Sequence, residues 1–194
     1  MNEEPIWRCF TCVEADESVR AALARGIERL RRCGAHVSWT VPEKLHVTLT
    51  FHGDQPRCRI ETLCAALEAV CADRSAFDVD VRGTGSFGKP GSPRVLWAGI
   101  ADGAEQLAGL QHVVADVARR AGMLPDTRPF HPHITLGRVK RANPPQRLEL
   151  TRELERLAII AFGRFRANRV VLMRSELLPT GSRFTPVRIL PLRP

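Results

Sequence analysis

The chain has 194 residues, of which 44% are apolar and 26% charged, a content that suits one globular domain with a hydrophobic core. This composition excludes a disordered chain, and no apolar run approaches the roughly 18 residues of a membrane span, so we expect a soluble protein without membrane contact. The acidic start, residues 1–5, argues against a secretory signal and predicts a cytoplasmic location.

The formal charge is +8, and only three of the 29 basic residues are lysine, at Lys44, Lys89 and Lys140. The planar guanidinium of arginine suits phosphate groups, so the charge permits an RNA partner. The arginines are nevertheless spread along the chain, and a compositional bias explains them equally well.

Hydrophobic periodicity predicts strands and helices in alternation. In chain order these are a strand at 6–13, a helix at 16–33, strands at 36–41 and 45–51, a helix at 60–72, strands at 77–81 and 94–100, a helix at 104–121, a strand at 133–139, a helix at 148–160, and strands at 166–174 and 187–190. The glycine- and proline-rich residues 83–93 are expected to form a loop.

This mixed order, with mainly hairpin-like strand neighbours, predicts an α+β fold with a largely antiparallel sheet. Each half of the chain carries a strand, a helix and then a strand that begins with histidine. We therefore expect a single domain over residues 1–194, in which two intertwined, pseudo-symmetric lobes face each other across a central groove.

All six cysteines lie in the first half, and Cys9 and Cys12 have the CxxC spacing of zinc and redox sites. A second CxxC pair is missing, and residues three apart on a strand face opposite sides of the sheet. We expect buried free thiols here rather than a metal or redox site.

A short pattern occurs twice, as His-Val-Thr-Leu at residues 46–49 and His-Ile-Thr-Leu at residues 133–136. Residues i and i+2 of a strand point to one face, so His46 and Thr48 project together, as do His133 and Thr135. If the two halves pack about a pseudo-twofold axis, two imidazoles and two hydroxyls converge on one cleft.

Imidazole titrates near pH 6.5, so at neutral pH one ring can be protonated while the other is neutral. Such a pair supplies a general acid and a general base for in-line displacement at phosphorus, and threonine hydroxyls can donate hydrogen bonds to the non-bridging oxygens. The pattern favours a phosphodiesterase, for which a strained cyclic phosphate is the fitting substrate. A bell-shaped dependence of activity on pH is expected.

On these residues the sequence resembles the two-histidine phosphoesterase superfamily and, within it, the RNA 2′,3′-cyclic phosphodiesterases, also called 2′-5′ RNA ligases. The first motif belongs to a longer match over residues 43–51, and the second to a match over residues 128–138. The resemblance extends to residues 94–97, 175–177 and 184–186, and so covers nearly the whole chain.

The resemblance implies a bilobal α+β fold, no cofactor and no metal, and hydrolysis of a terminal 2′,3′-cyclic phosphate to a 2′-phosphate. By position, His46 would donate a proton to the leaving 3′ oxygen, and His133 would accept a proton from the attacking water. Thr48 and Thr135 would hold the phosphate. If the 5′-hydroxyl of another RNA end replaces water, the same site would form a 2′-5′ linkage without ATP.

Three further residues are candidates for substrate binding: Arg138 for additional charge on the phosphate, and Phe51 and Phe130 for packing against the base or sugar. The expected partners are RNA ends with a cyclic phosphate, such as tRNA fragments or short oligonucleotides, and we expect the protein to be a monomer. The near-symmetry of the two halves leaves open which histidine is the acid.

Two alternatives and one departure remain. His131 and His133 form a His-x-His pair that could bind a metal, although Pro132 lies between them and no carboxylate is near. An RNA-binding module without catalysis would keep the arginines but have no use for paired histidines. His52 stands where relatives usually carry an apolar residue; on an undistorted strand it would share the face of His46, and we expect it to be solvated rather than to line the cleft.

Overall fold

The computed structural model describes residues 4–124, 128–179 and 181–194, which form nine strands and four α-helices. In chain order they are β1 (Ile6–Glu14), α1 (Glu17–Arg31), β2 (His36–Trp39), β3 (His46–Pro56), α2 (Arg57–Ala72), β4 (Phe77–Lys89), β5 (Ser92–Ile100), α3 (Ala104–Arg120), β6 (His133–Arg141), α4 (Pro144–Leu157), β7 (Ala161–Ala167), β8 (Arg169–Leu178) and β9 (Gly181–Pro191). A 3-10 helix over Pro42–Lys44 leads into β3.

All nine strands belong to one sheet with the order β7-β4-β5-β6-β3-β1-β8-β9, and β2 also pairs with β6. Every pair of these strands is antiparallel, which confirms the α+β class and the antiparallel character of the sheet. The main hydrophobic core lies between the helices and one face of the sheet. A smaller buried cluster lies elsewhere, around Phe10, Cys12, Val171 and Met173.

The strand order shows a twofold repeat. The succession strand, helix, histidine strand, helix occurs as β1-α1-β3-α2 and again as β5-α3-β6-α4. The two histidine strands are neighbours at the centre, β1 flanks one of them and β5 flanks the other. The two lobes, each with four strands on one side of this centre, are therefore pseudo-symmetric as predicted.

Helices α1 and α3 are exchanged between the two lobes. Helix α1, from the first half of the chain, packs on β7 and on α4 in the second lobe, whereas α3, from the second half, packs on β3 and on α2 in the first lobe. Among the described residues, no helix is long and apolar enough to cross a membrane.

The sheet curls so that its far ends approach each other. Strand β7 lies at one edge and β8 lies next to the other edge, yet Asn168 alone connects them. A single residue spans less than about 4 Å, so the two strand ends must adjoin. The curl gives the sheet a concave face, which the two lobes share.

Several of the predicted boundaries were wrong; α2, for example, begins at Arg57 rather than at 60. Residues 83–93 are not a loop: β4 continues to Lys89 and pairs with β5 as a hairpin. Glycine permits this pairing to be close, since a Cβ on Gly85 would overlap the Trp97 ring. The strand predicted at 166–174 is two strands, because the chain passes from one end of the sheet to the other at Asn168.

Helix α4 begins earlier than predicted, at Pro144 rather than 148. Proline fits the first helical turn, because the backbone donor that it lacks is one that this turn leaves unpaired. Asn143 accepts a hydrogen bond from the Gln146 backbone, and the Gln146 side chain accepts one from the Asn143 backbone, forming a capping box.

The CxxC pair does not form a joint site. Cys9 belongs to the main core and Cys12 to the smaller buried cluster, as expected for residues on opposite sides of a strand. Burial raises the pKa of the Cys9 thiol to about 12, so the thiolate that a metal or redox site needs is disfavoured.

The prediction that His52 is solvated was wrong. The residue is 3% exposed, and neither ring nitrogen has a hydrogen-bond partner among the described protein atoms. A strand bulge, described below, turns this side chain away from the face of His46. Burial lowers the pKa of His52 to about 4.

We expect His52 to make the fold sensitive to acid. In the unfolded chain the ring takes up a proton near pH 6.5, whereas in the folded chain it does so only near pH 4. The free energy of unfolding therefore has its full value above pH 6.5 and decreases by up to about 3 kcal/mol as the pH drops towards 4. His52→Leu should flatten this dependence in urea unfolding followed between pH 7.5 and 4.5.

The matched control for this measurement is the exposed His112, whose replacement by glutamine should keep the parental dependence on pH. If His52→Leu loses stability with acid as steeply as the parent protein, another group is responsible.

Candidate active site

The two histidine strands have the same register against their outer neighbours. Each contains a bulged residue directly after the threonine of the motif, Leu49 in β3 and Leu136 in β6, and β3 has a second one at His52. The pairs on β1 and β3 are Glu14–His46, Cys12–Thr48, Thr11–Thr50 and Phe10–Phe51, and the corresponding pairs on β5 and β6 are Gly99–His133, Trp97–Thr135, Leu96–Gly137 and Val95–Arg138. The sequence repeat is therefore also a repeat of strand geometry.

The bulges decide which side chains reach the cleft. With strict alternation, Thr50 and Gly137 would follow Thr48 and Thr135 on the cleft face. The extra residue reverses the alternation, so that Thr50 is buried and Phe51, which is 49% exposed, returns to the cleft face. Arg138 takes the equivalent place in the other lobe.

The two motifs meet at the centre of the sheet, where Val47 pairs with Ile134. These residues occupy equivalent positions in the two motifs, so the pseudo-twofold axis passes between them. In an antiparallel pair this register places His46 opposite Thr135 and Thr48 opposite His133, all on one face. The two histidines are diagonal neighbours, about 7–8 Å apart along the sheet.

Both imidazoles are held in the same way. His46 Nδ1 lies 2.7 Å from the carbonyl oxygen of Lys44, and His133 Nδ1 lies 2.6 Å from that of His131, in each case two residues earlier. A carbonyl can only accept, so Nδ1 carries the proton and donates it in both rings. This leaves Nε2 of each ring for chemistry; in His46 it is 3.0 Å from Thr48 Oγ1.

Aromatic rings enclose the two histidines. Phe10 stacks on His46 with a centroid distance of 5.1 Å, and Phe184 meets the same ring edge-on at 5.7 Å. Phe87, near the end of the β4–β5 hairpin, meets His133 edge-on at 5.0 Å. These contacts fix the ring planes and exclude water from one side of each ring.

Neither Phe10 nor Phe87 was predicted from the sequence to lie beside the histidines. Phe10 reads as an ordinary strand residue, and Phe87 falls in the stretch that was mistaken for a loop. Phe10 lies opposite Phe51 on the neighbouring strand. This pairing indicates that Phe10 lies at the cleft, but it can be recognised only when the strand register is known.

Burial is the main influence on the pKa of both histidines and lowers it in each. The hydrogen bond to the preceding carbonyl opposes this effect, because it stabilises the protonated ring. The positive charge of His133 also lowers the pKa of His46, so the two rings are close enough to influence each other. Protonation of one ring therefore disfavours protonation of the other.

The other predicted binding residues have distinct surroundings. Arg138 is exposed, and its charge lowers the pKa of His133 further, which places the guanidinium near that ring. Phe130 packs against the main hydrophobic core, so its proposed contact with a base or sugar stays a prediction. His131 contributes its carbonyl to the site, and no three His, Cys, Asp or Glu side chains converge as potential metal ligands in the part of the chain that the structure describes.

A family model, the 2′-5′ RNA ligase superfamily, matches residues 19–177. The chain belongs to this superfamily. An RNA 2′,3′-cyclic phosphodiesterase from Methanothermobacter thermautotrophicus is 31% identical over 182 residues, which cover 94% of this chain and 97% of the relative.

Solved structures of similar proteins agree with the fold described above. TT0787 of Thermus thermophilus is 32% identical, with a TM-score of 0.77 over 96% of this chain and 98% of that chain. Apo LigT from E. coli also has a TM-score of 0.77, over 99% and 100% of the two chains, at 21% identity. As a member of this superfamily, the chain is a two-histidine phosphoesterase.

We expect both site histidines to titrate below the usual value of about 6.5 in the free protein, because burial disfavours the charged ring. A two-dimensional NMR titration of the ring protons, with His46→Gln and His133→Gln for assignment, measures both values. The protein in concentrated urea provides the reference. A value at or above that of the unfolded chain for either ring contradicts the described burial.

Proposed function

We propose that the protein hydrolyses RNA ends carrying a 2′,3′-cyclic phosphate to 2′-phosphomonoesters by metal-independent general acid–base catalysis. The observation that carries this proposal is the pairing of Val47 with Ile134, which places two imidazoles on one face of the sheet, each held through Nδ1 by a backbone carbonyl. The names of relatives that are about 30% identical over most of the chain support the same substrate class.

In the proposed reaction, water attacks phosphorus in line with the bond to the 3′ oxygen. His133 Nε2 accepts the proton of the water as the new P–O bond forms. The bond between phosphorus and the 3′ oxygen breaks, and His46 Nε2–H donates its proton to that oxygen. The product is a 2′-phosphomonoester with a free 3′-hydroxyl, and each histidine is left in the protonation state of the other.

The remaining cleft residues have roles that suit this reaction. The hydroxyls of Thr48 and Thr135 lie between the two rings and can donate hydrogen bonds to the non-bridging oxygens, where charge increases in the transition state. The Arg138 guanidinium adds positive charge at the same face. The exposed ring of Phe51 offers a surface for packing against a base or sugar.

The lowered pKa of both rings is compatible with an acid role, because the substrate is an anion. A phosphodiester between the rings supplies the opposite charge that favours one imidazolium, so the donor is protonated mainly in the complex. Mutual repulsion keeps the second ring neutral, as a base requires.

The same geometry supports ligation as a side activity. If the 5′-hydroxyl of a second RNA takes the place of water, its oxygen attacks phosphorus, His133 accepts the proton and the 3′ oxygen leaves as before. A 2′-5′ linkage results, and no ATP is consumed because the cyclic phosphate supplies the activated bond. We propose tRNA fragments or short oligonucleotides as substrates and a monomeric enzyme.

The proposal predicts a specific product in the presence of a chelator. An oligoribonucleotide that ends in a 2′,3′-cyclic phosphate, incubated with the protein in EDTA, should yield the 2′-phosphate, identified by phosphorus NMR. A matched oligonucleotide with a linear 3′-phosphate should remain unchanged. A 3′-phosphate product, or activity that EDTA abolishes and a divalent metal restores, contradicts the mechanism.

Replacing either catalytic histidine should lower turnover while RNA binding persists. We expect His46→Ala and His133→Ala each to reduce kcat by about a hundredfold to ten-thousandfold, the usual range for loss of a general acid or base. Turnover is measured on the cyclic-phosphate oligonucleotide, and binding by fluorescence anisotropy.

Two further variants distinguish the alternatives. His131→Ala keeps the backbone carbonyl that holds His133, so it should lose far less activity than His133→Ala. If the two histidines instead bound a metal, both variants should lose activity equally. His112→Ala, at an exposed helix position, should behave as the parent protein. If His46→Ala and His133→Ala leave turnover intact, the protein acts as an RNA-binding module.

A further inference from the structure

The pseudo-twofold symmetry of the site is broken at the strand positions that pair with the two histidines. Glu14 on β1 pairs with His46 on β3, on the same face, whereas the equivalent partner of His133 on β5 is Gly99. Directly opposed residues of antiparallel strands have Cβ atoms about 4.5–5.5 Å apart. His46 therefore has a carboxylate neighbour, and His133 has no side chain at the corresponding place.

We propose that Glu14 is a positioning residue that assigns the proton-donor role to His46, by placing a negative charge beside this ring alone. The inference rests on the proposed function, because it states which of two near-equivalent histidines is the acid. The repeated motif itself contains no such distinction, since both copies are His-apolar-Thr-Leu.

Glu14 is held in place by two arginines from other elements. Arg169 on β8 donates a hydrogen bond to Glu14 Oε2 at 3.3 Å, and Arg20 on α1 lies 3.8 Å from Oε1. The Glu14 side chain is 22% exposed, so water screens it only partly. These contacts keep the carboxylate on the side of the cleft where His46 lies.

The second lobe excludes an equivalent carboxylate. A Cβ at position 99 would lie 2.8 Å from the backbone oxygen of Arg82, so any side chain there collides with the main chain of β4. The position equivalent to Phe51 also differs, since it is Arg138, whose guanidinium lies near His133. One ring has an acidic neighbour and the other a basic neighbour.

The charges around His46 come from three directions: Glu14 on β1, Arg20 on α1 and His133 on β6. After burial and the carbonyl hydrogen bond, Glu14 has the largest effect on the pKa of His46, and it raises it; His133 and Arg20 lower it. Lys44 is directed elsewhere, with Nζ on the Ser182 carbonyl oxygen at 2.5 Å.

The charges around His133 are all positive. Apart from burial, Arg138 and His131 lower the pKa of His133, and its partner on β5 is an uncharged glycine. The neighbouring charges therefore favour protonation of His46 over protonation of His133, which is the asymmetry that an acid and a base require.

The test uses two variants with opposite expected effects. Glu14→Gln removes the negative charge while its amide oxygen can still accept the hydrogen bond from Arg169, so the pKa of His46 should fall. Arg20→Gln removes a positive charge and should raise it. The two values are read from the NMR titration of the His46 ring, with the His133 ring as internal control.

If the ion pair between Glu14 and Arg20 had only a structural role, both variants would break it equally. The pKa of His46 would then shift in the same direction in both variants, or not at all. Either of those results, or equal shifts of both rings, overturns the inference. Glu14→Asp, which restores the charge, should return the His46 titration towards the parental value. If Glu14→Gln does not fold, Glu14→Ser removes the same charge and should likewise lower the pKa of His46 relative to Glu14→Asp.

The pH profile of kcat/KM then tests the assignment of roles. If His46 is the acid, Glu14→Gln moves the alkaline limb to lower pH and Arg20→Gln moves it to higher pH, while the acid limb stays. Movement of the acid limb instead shows that His46 has the lower pKa of the two rings, so that the proton of the singly protonated site lies on His133, and this contradicts the proposal. An inactive parent protein whose His46 titration responds as expected overturns the proposed function and leaves the electrostatic effect of Glu14 standing.

Discussion

The pairing of Val47 with Ile134 is the interaction on which the site depends. These two residues lie at equivalent places in the repeated motif, so their contact puts a pseudo-twofold axis at the centre of the sheet. Each histidine then lies beside the threonine of the other motif. A shift of one residue in this register would place the two histidines on opposite faces of the sheet and abolish the cleft.

Apolar packing holds this register. Val47 and Ile134 are both fully buried, and their neighbours on the outer strands are buried as well. Helices α1 and α3 cross to the opposite lobe, so neither lobe can bury its core without the other. The geometry between the two imidazoles is thus fixed by the same packing that makes the chain fold, and it requires no metal to bring the rings together.

Local irregularities then adapt a symmetric scaffold to an asymmetric reaction. The bulges at Leu49 and Leu136 bring Phe51 and Arg138 to the cleft, one an apolar surface and the other a cation. Phe10 and Phe184 make His46 the more enclosed ring, whereas His133 meets the single ring of Phe87 and lies nearer to exposed positive charge. The proposed hydrolysis needs one ring as the acid and the other as the base, so two identical environments would serve it poorly.

The sequence alone determined the α+β class, the repeated halves and the four motif residues, because strand periodicity places i and i+2 on one face whatever surrounds them. It did not determine the side on which His52, Phe51 or Arg138 would lie, since the bulge that reverses the alternation depends on how β3 and β6 pair with their neighbours. Residues 83–93 were predicted to be a loop because of their glycine and proline content, so Phe87 was not recognised beside His133. Phe10 was not recognised beside His46, because only the pairing of β1 with β3 brings these two residues together. The difference between Glu14 and Gly99 also became visible only in the strand register, because these residues are far from the motifs in the chain. Periodicity is a local property of the backbone, whereas the surroundings of a titrating group are set by residues that only tertiary structure brings together.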